Sequence, residues 1–222
     1  MGLPHSKLAK LLGRDDPLIL EIGSNDGTDA ARFLEVLPKA RVICFEPDPR
    51  AIARWKTNVT HPNAELQEIA IGAEDGTLTF HQSGGDPRKT GEGDWDYSGS
   101  LRAPKDVLDV CPGVLFEKTI EVPVRSLDSW AEEAGIGTVD FIWADVQGGE
   151  RDLIQGGART LANTRYFYTE YYDIEMYAGQ WTFAEIDAAL PSHKIIKKWK
   201  ADVLFARKSE PGNWPTNLLK FM

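Results

Sequence analysis

Residues 18–49 limit this chain's possible folds more than any other stretch, because LILEIGSNDGTD is followed by VICFEPDP. The order is an apolar run containing Glu21, a glycine-bracketed turn, a helical segment, and a second apolar run closing on Glu46. That is the order of a β-α-β unit whose first strand exit is a ligand turn. Gly23 and Gly27 bracket the turn, and Ser24, Asn25 and Asp26 between them carry short polar side chains. With Asn at position 25 it is not the dinucleotide G-x-G-x-x-G, and no Gly-Lys-Ser/Thr follows to make a phosphate loop. Phosphates need bare amides, and Glu21 and Asp26 would repel them, whereas ammonium and hydroxyl groups are welcome beside those acids. Glu46 lies 19 residues beyond Gly27 and 23 beyond Gly23, the spacing at which an acid accepts hydrogen bonds from both hydroxyls of a ribose. S-adenosylmethionine has a ribose, a cationic sulfonium, an amino acid tail and no phosphate, so it suits this turn. An NAD-dependent oxidoreductase shares the Glu46 requirement but needs the missing third glycine.

Strands and helices alternate through the first two thirds. Residues 5–12 place Leu8, Leu11 and Leu12 on one helical face, a cap helix within residues 1–16 that ends at Gly13. Leu18–Ile22 and Arg41–Phe45 read as strands, and 28–37 and 49–57 as helices. Residues 64–71 and 76–81 read as strands joined by AEDG. Further on come a strand at 118–124, a helix at 127–134 capped by Ser126, a strongly apolar strand Val139–Ala144, a helix at 150–161, a strand at 166–171 and a helix at 183–190. Residues 194–199 and 203–206 form a closing hairpin, and HKIIKKWK alternates in the manner of a half-buried edge strand. The pattern predicts an α/β, Rossmann-like chain forming a single domain over residues 1–222. Its sheet is mostly parallel and seven-stranded, with helices on both faces and a C-terminal antiparallel hairpin. Residues 83–99 break every periodicity and are long for a connection, which marks a lid loop, and 209–222 read as an irregular tail.

The composition excludes several classes. A 222-residue chain with 42% hydrophobic and 27% charged residues can bury a full core. A net charge of −9 argues against a nucleic acid partner, which requires clustered cations. No apolar run approaches membrane-spanning length, and MGLPHSKLAKLLGRDD lacks a signal-peptide pattern, so a cytoplasmic protein is expected. Cys44 and Cys111 form no metal-ligand pattern.

The chemistry is expected where strands end. Asp145, after FIWA, would lie at the ligand edge, partly desolvated, with its pKa raised toward general-base use. It could equally cap the helix that follows. Glu170, after RYFYT, would sit beside it, but no third or fourth ligand accompanies the pair, so no metal is expected. His81, just before the loop, is a further candidate base. Glu150 falls in a first helical turn, where the dipole favours a carboxylate. Trp95, Tyr97, Tyr171, Tyr172, Tyr177 and Trp181 flank the site, and flat aromatic faces suit sugar rings.

EIGSNDG, FEPDP, RSLDSW, DFIWADVQGGERDLIQGGARTL and YTEYYDIEMYAGQ occur in that order between residues 18 and 206. In this ordered series the chain resembles the FkbM family of S-adenosylmethionine-dependent methyltransferases, which have the class I methyltransferase fold. The resemblance implies methyl transfer to a hydroxyl of a sugar, glycan or secondary metabolite, with a small-molecule or carbohydrate acceptor as partner. By position it implies that Glu21, Gly23, Ser24, Asn25, Asp26 and Gly27 surround the methionine and ribose, and that Glu46 holds the ribose. Pro47 and Asp48 would flank the adenine, with Ile69 and Ala70 on its other side. Ser100 and Leu101 would approach the methionine end, and Asp145 would face the methyl and the acceptor. Many members have Lys at the position of Trp143 and Glu at that of Gln147, departures that raise a third reading: a cofactor-binding partner subunit without transfer activity.

Overall fold

The computed structural model describes residues 2–86 and 95–208. Five strands build the parallel part of the main sheet: β1 (Leu18–Ile22), β2 (Arg41–Phe45), β3 (Ala64–Gln67), β7 (Val139–Ala144) and β8 (Thr164–Glu170). The hairpin β9 (His193–Lys198) and β10 (Asp202–Arg207) adds two antiparallel strands, giving the order β3-β2-β1-β7-β8-β10-β9 with the basic strand at the edge. Helices cover both faces, as a parallel sheet requires. Leu8 of α1 (Leu8–Leu12), Phe33 of α2 (Thr28–Val36) and Trp55 of α3 (Pro49–Asn58) pack on Ile19, Val42 and Phe141. The opposite face packs Leu20, Ile43 and Ile142 against Trp130, Leu153, Leu161 and Ile186. These four come from α5 (Leu127–Glu133), α6 (Glu150–Gly156), α7 (Ala158–Ala162) and α8 (Phe183–Ala188).

A second sheet was not expected. Residues 64–71 do not form one strand: β3 stays in the main sheet, while β4 (Ala70–Gly72) pairs with β6 (Val114–Ser126) in a three-stranded sheet ordered β4-β6-β5. The break follows from β2, whose ladder with β3 ends where Glu46 N meets the Gln67 carbonyl at 3.1 Å. Pro47 has no N–H and Pro49 opens α3, so Glu68 and Ile69 have no partner strand and the chain turns away. β5 (Gly76–Gly85) runs past its expected end, with Gly84 and Gly85 pairing Leu115 and Val114 across a bulge.

The helix expected over 150–161 is interrupted between α6 and α7. A Cβ on Gly156 would lie 2.1 Å from the Gly72 carbonyl oxygen, so α6 rests directly on the backbone of β4. α4 (Val107–Val110) is a turn that periodicity does not show. Ser126 caps α5 as expected, its Oγ accepting from Ser129 N at 3.2 Å. Both cysteines are free. Positions 87–94 of the proposed lid and the tail 209–222 lie outside the described residues. No described helix is long and apolar enough to cross a membrane.

After β3 the chain leaves the main sheet and returns as β7 on the other side of β1. Strand order reverses there, and a ligand crevice opens at the carboxyl ends of the strands flanking such a point.

Candidate active site

A cavity occupies this crevice, and its floor is the turn after β1. Gly23 has φ +84°, and a Cβ there would lie 1.9 Å from the Asp145 carbonyl oxygen, so the exits of β1 and β7 meet with no room for a side chain. Asn25, at φ +45°, turns its backbone N–H toward Glu46 Oε2 at 2.8 Å. Asp48 N donates to the other oxygen at 2.8 Å. The two amides fix the Glu46 carboxylate at the cavity wall, and each oxygen keeps a second lone pair for a ligand hydroxyl. Burial pushes the Glu46 carboxyl up to about 7 against the opposing pull of those two donors.

The walls beyond Glu46 are apolar. Pro47, Ile69 and Ala70 line the cavity, together with Ile71, Phe80 and Leu101. A slot between such groups accepts a flat heterocycle. Phe80 carries no sequence signal, because it lies in a strand of the second sheet. It also explains the placement of His81: side chains alternate along β5, so when Phe80 faces the cavity the neighbouring imidazole does not. His81 instead bridges through its backbone to Ser100, with N–H···O distances of 2.8 and 3.1 Å.

Five residues expected at the cofactor do not line the cavity. Glu21 is buried within the helix-covered face and accepts from Cys44 Sγ at 3.2 Å, and burial pushes its carboxyl well above the usual range. Ser24 is buried inside the turn, where its carbonyl accepts from Gly27 N at 2.9 Å. Asp26 Oδ1 accepts from Thr28 N at 3.0 Å, and Gly27 is the N-cap of α2, lying against Trp55 and Val59. Asp48 is the N-cap of α3: it accepts from Arg50 N at 2.9 Å and Gln82 Nε2 at 3.0 Å and pairs with the Arg50 guanidinium at 2.7 Å. Their polar groups build the turn and the helix entries around the site.

Asp145 lies at the far end of the cavity. It does not cap the next helix, whose N-cap is Gly149. Its Oδ1 accepts from Gln147 Nε2 at 2.5 Å, and Gln147 Oε1 faces the Tyr177 hydroxyl at 3.0 Å. The carboxylate only accepts, which turns the amide nitrogen toward Asp145 and its oxygen toward the phenol, whose single proton is shared with the Ser98 carbonyl at 2.9 Å. Ser100 Oγ donates to the Gln147 carbonyl at 2.7 Å, holding the segment that carries Leu101 against the β7 exit. Burial pushes Asp145 up to about 6. Glu170 rises further because burial is joined by the charges of Asp145, Asp202 and Glu150, and it accepts from the Tyr172 hydroxyl at 3.2 Å. Burial also raises Glu150, to about 7. Among the described residues no group of His, Cys, Asp and Glu is arranged to hold a metal ion.

Trp143 stands on the face opposite the second core, stacked on Tyr168 at 4.1 Å and on His5 at 5.3 Å. It does not line the cavity. Among the aromatics flanking the site, Tyr171 and Tyr177 are buried, whereas Tyr97 is exposed but lines the cavity beside Asp96.

Residues 21–196 match the methyltransferase FkbM domain. Over 200 residues the chain is 46% identical to the 2-O-methyltransferase NoeI of Sinorhizobium fredii (strain NBRC 101917 / NGR234), covering 90% of this chain and 81% of that protein. The fold is similar to the crystal structure of a methyltransferase FkbM from Methylobacillus flagellatus KT, with a TM-score of 0.53 at 16% identity, over 92% of this chain. The chain spans about half of that structure's length, 48%. By the extent of the domain match and the identity to NoeI, this chain belongs to the FkbM family of methyltransferases.

Proposed function

We propose that the chain binds S-adenosylmethionine in this cavity and methylates a hydroxyl oxygen of a sugar or another polyhydroxylated small molecule. The observation that carries the reading is the continuity of one cavity from Glu46 to Asp145, a ribose-type acceptor on one side and a half-buried carboxylate on the other. The residues fit such a cofactor. Gly23 lets the exits of β1 and β7 close on each other beneath the cavity, Glu46 offers free lone pairs, and the slot at Ile69, Ala70 and Phe80 is apolar. The relative NoeI is named as a 2-O-methyltransferase, which supports oxygen as the acceptor atom.

When bound, S-adenosylmethionine supplies a methyl group activated by its positive sulfonium. The chain then has to align the acceptor and remove its proton. Asp145 is mainly ionised at neutral pH, because burial raises it only to about 6. It would therefore take the acceptor's hydroxyl proton as methyl passes from sulfur to oxygen. Gln147 steadies that carboxylate through Nε2, and Tyr177 steadies Gln147. An acid at position 147 would instead place a second negative charge against Asp145. Glu170, whose carboxyl is raised by burial and by its acidic neighbours, accepts from the Tyr172 hydroxyl and does not line the cavity, so it is given no contact with the acceptor. With Trp143 away from the cavity and Gln147 supporting Asp145, neither departure from the family pattern removes a group that this chemistry uses.

Transfer of labelled methyl from S-adenosylmethionine to a panel of hydroxylated sugars tests the reading. Turnover should appear on at least one, and Asp145→Asn should lower kcat by about 10²–10⁴-fold, the usual contribution of a positioned base. Its affinity for S-adenosylhomocysteine should stay within a few-fold of the parent. Full activity of the variant, or methyl delivered to nitrogen or carbon, would overturn it.

A further inference from the structure

Asp96 is a second acid at the ribose end of the cavity, and the β-α-β pattern does not point to it. It is held from three sides. Its carbonyl accepts from Asn25 Nδ2 at 3.2 Å, the preceding Trp95 carbonyl accepts from Ser83 Oγ at 2.8 Å, and Ser98 N donates to that same Ser83 Oγ at 3.1 Å. The Asp96 side chain is 1% exposed, and its Oδ2 pairs with the Arg54 guanidinium of α3. Oδ1 is buried without a hydrogen-bond partner, although the residue lines the same cavity as Glu46. A buried carboxylate oxygen with no donor is unfavourable, and a ligand donor arriving in the cavity would relieve it.

Asn25 links the two acids, its backbone N–H serving Glu46 and its side-chain amide serving Asp96. Because Arg54 offsets one of the two charges, both acids can face one neutral diol. On the cofactor reading the methionine end would lie toward Gly23 and Asp145, so the donor offered to Asp96 would be a hydroxyl and not an ammonium. We infer that Asp96 Oδ1 accepts a hydrogen bond from a ribose hydroxyl of the bound cofactor, sharing the diol with Glu46. This rests on the cofactor reading proposed above. It has a consequence for selectivity: two carboxylates at one diol exclude a ligand whose ribose carries phosphate on its 2'- or 3'-oxygen.

Titration calorimetry with S-adenosylhomocysteine and its 2'-deoxy and 3'-deoxy analogues separates the possibilities. Asp96→Ala should weaken S-adenosylhomocysteine by about 10-fold or more, the loss of one hydrogen bond to a charged group. With one of the deoxy analogues the same substitution should change affinity by less than about 3-fold, because the hydroxyl it serves is already gone. Arg54→Met, which removes the ion pair and leaves the acceptor, should preserve the wild-type preference for ribose over that deoxy form. If Asp96→Ala does not fold by circular dichroism, Asp96→Asn carries the same comparison with a smaller expected loss of about 5-fold, a neutral acceptor being weaker. Equal losses for all three ligands, or no loss for any, would overturn the assignment of Asp96. Failure of the wild-type chain to bind S-adenosylhomocysteine at all would instead contradict the cofactor reading itself.

Discussion

Carboxyl groups end β2, β7 and β8 or follow directly on them, and each is raised by burial for a different use. Glu46 is held by two amides and keeps its free lone pairs for a diol, so Glu46→Gln should weaken S-adenosylhomocysteine by about 10–100-fold in calorimetry. The thermal midpoint should move much less, since Gln retains an acceptor for one of the two amides. As the proposed base Asp145 would act in its charged form, and its carboxyl is raised, so kcat/KM should climb with pH through about 6 and then level. Asp145→Asn should lose that limb, and a wild-type profile flat from pH 5 to 8 would count against Asp145 as base. Both acids are legible in the sequence because spacing from a glycine turn and position after an apolar run are local signals. Asp96 and Gln147 are not. Their roles come from tertiary neighbours, Arg54 and Asn25 for one and Tyr177 for the other, that lie 30 or more residues away. Glu21, Asp26 and Asp48 show the converse, since their types suit a ligand but backbone N–H groups or neighbouring side chains take their oxygens first.

Among the elements, the main sheet is readable because its central strands β1, β2 and β7 are apolar runs and its helices have clear faces. The second sheet is hidden because β5 is glycine-rich at one end and exposed at the other, and its pairing with β6 spans a long loop. Its junction with the main domain core rests on the contact of Gly156 with β4. Gly156→Ala should therefore destabilise by about 1–3 kcal/mol, the range for overpacking, as measured by urea denaturation. The back of β7 is a separate matter. Trp143 is wedged among Tyr168, His5 and Phe33, so Trp143→Leu should cost about 1–3 kcal/mol of stability. Its affinity for S-adenosylhomocysteine should stay within about 2-fold, because the indole packs on His5, on Phe33 of α2 and on Tyr168 and does not line the cavity. Loss of binding with stability intact would show that the residue reaches the site after all.

For the molecule as a whole, burying so many acids makes stability depend on pH. Glu46 and Glu150 each have folded-state values near 7, above the ordinary 4.5, so the native state keeps protons that the unfolded chain releases. Their contribution to stability is complete below about pH 4.5 and declines as pH rises toward about 7. Acids lowered by partners, such as Asp75 at about 2, act in the opposite sense only at pH values below 4, a separate window. Glu150→Gln should flatten the decline between pH 5 and 8 by on the order of 1–3 kcal/mol in denaturant titrations, and an unchanged slope would mean that Glu150 does not carry it. At this scale the same crowding of acids would favour the cationic cofactor proposed above. A crystal structure with S-adenosylhomocysteine tests this most directly. The ribose hydroxyls should lie within hydrogen-bond distance of Glu46, the adenine against Ile69 and Ala70, and the sulfur toward Asp145. A ligand seated elsewhere, or a ribose held by other residues, would contradict it.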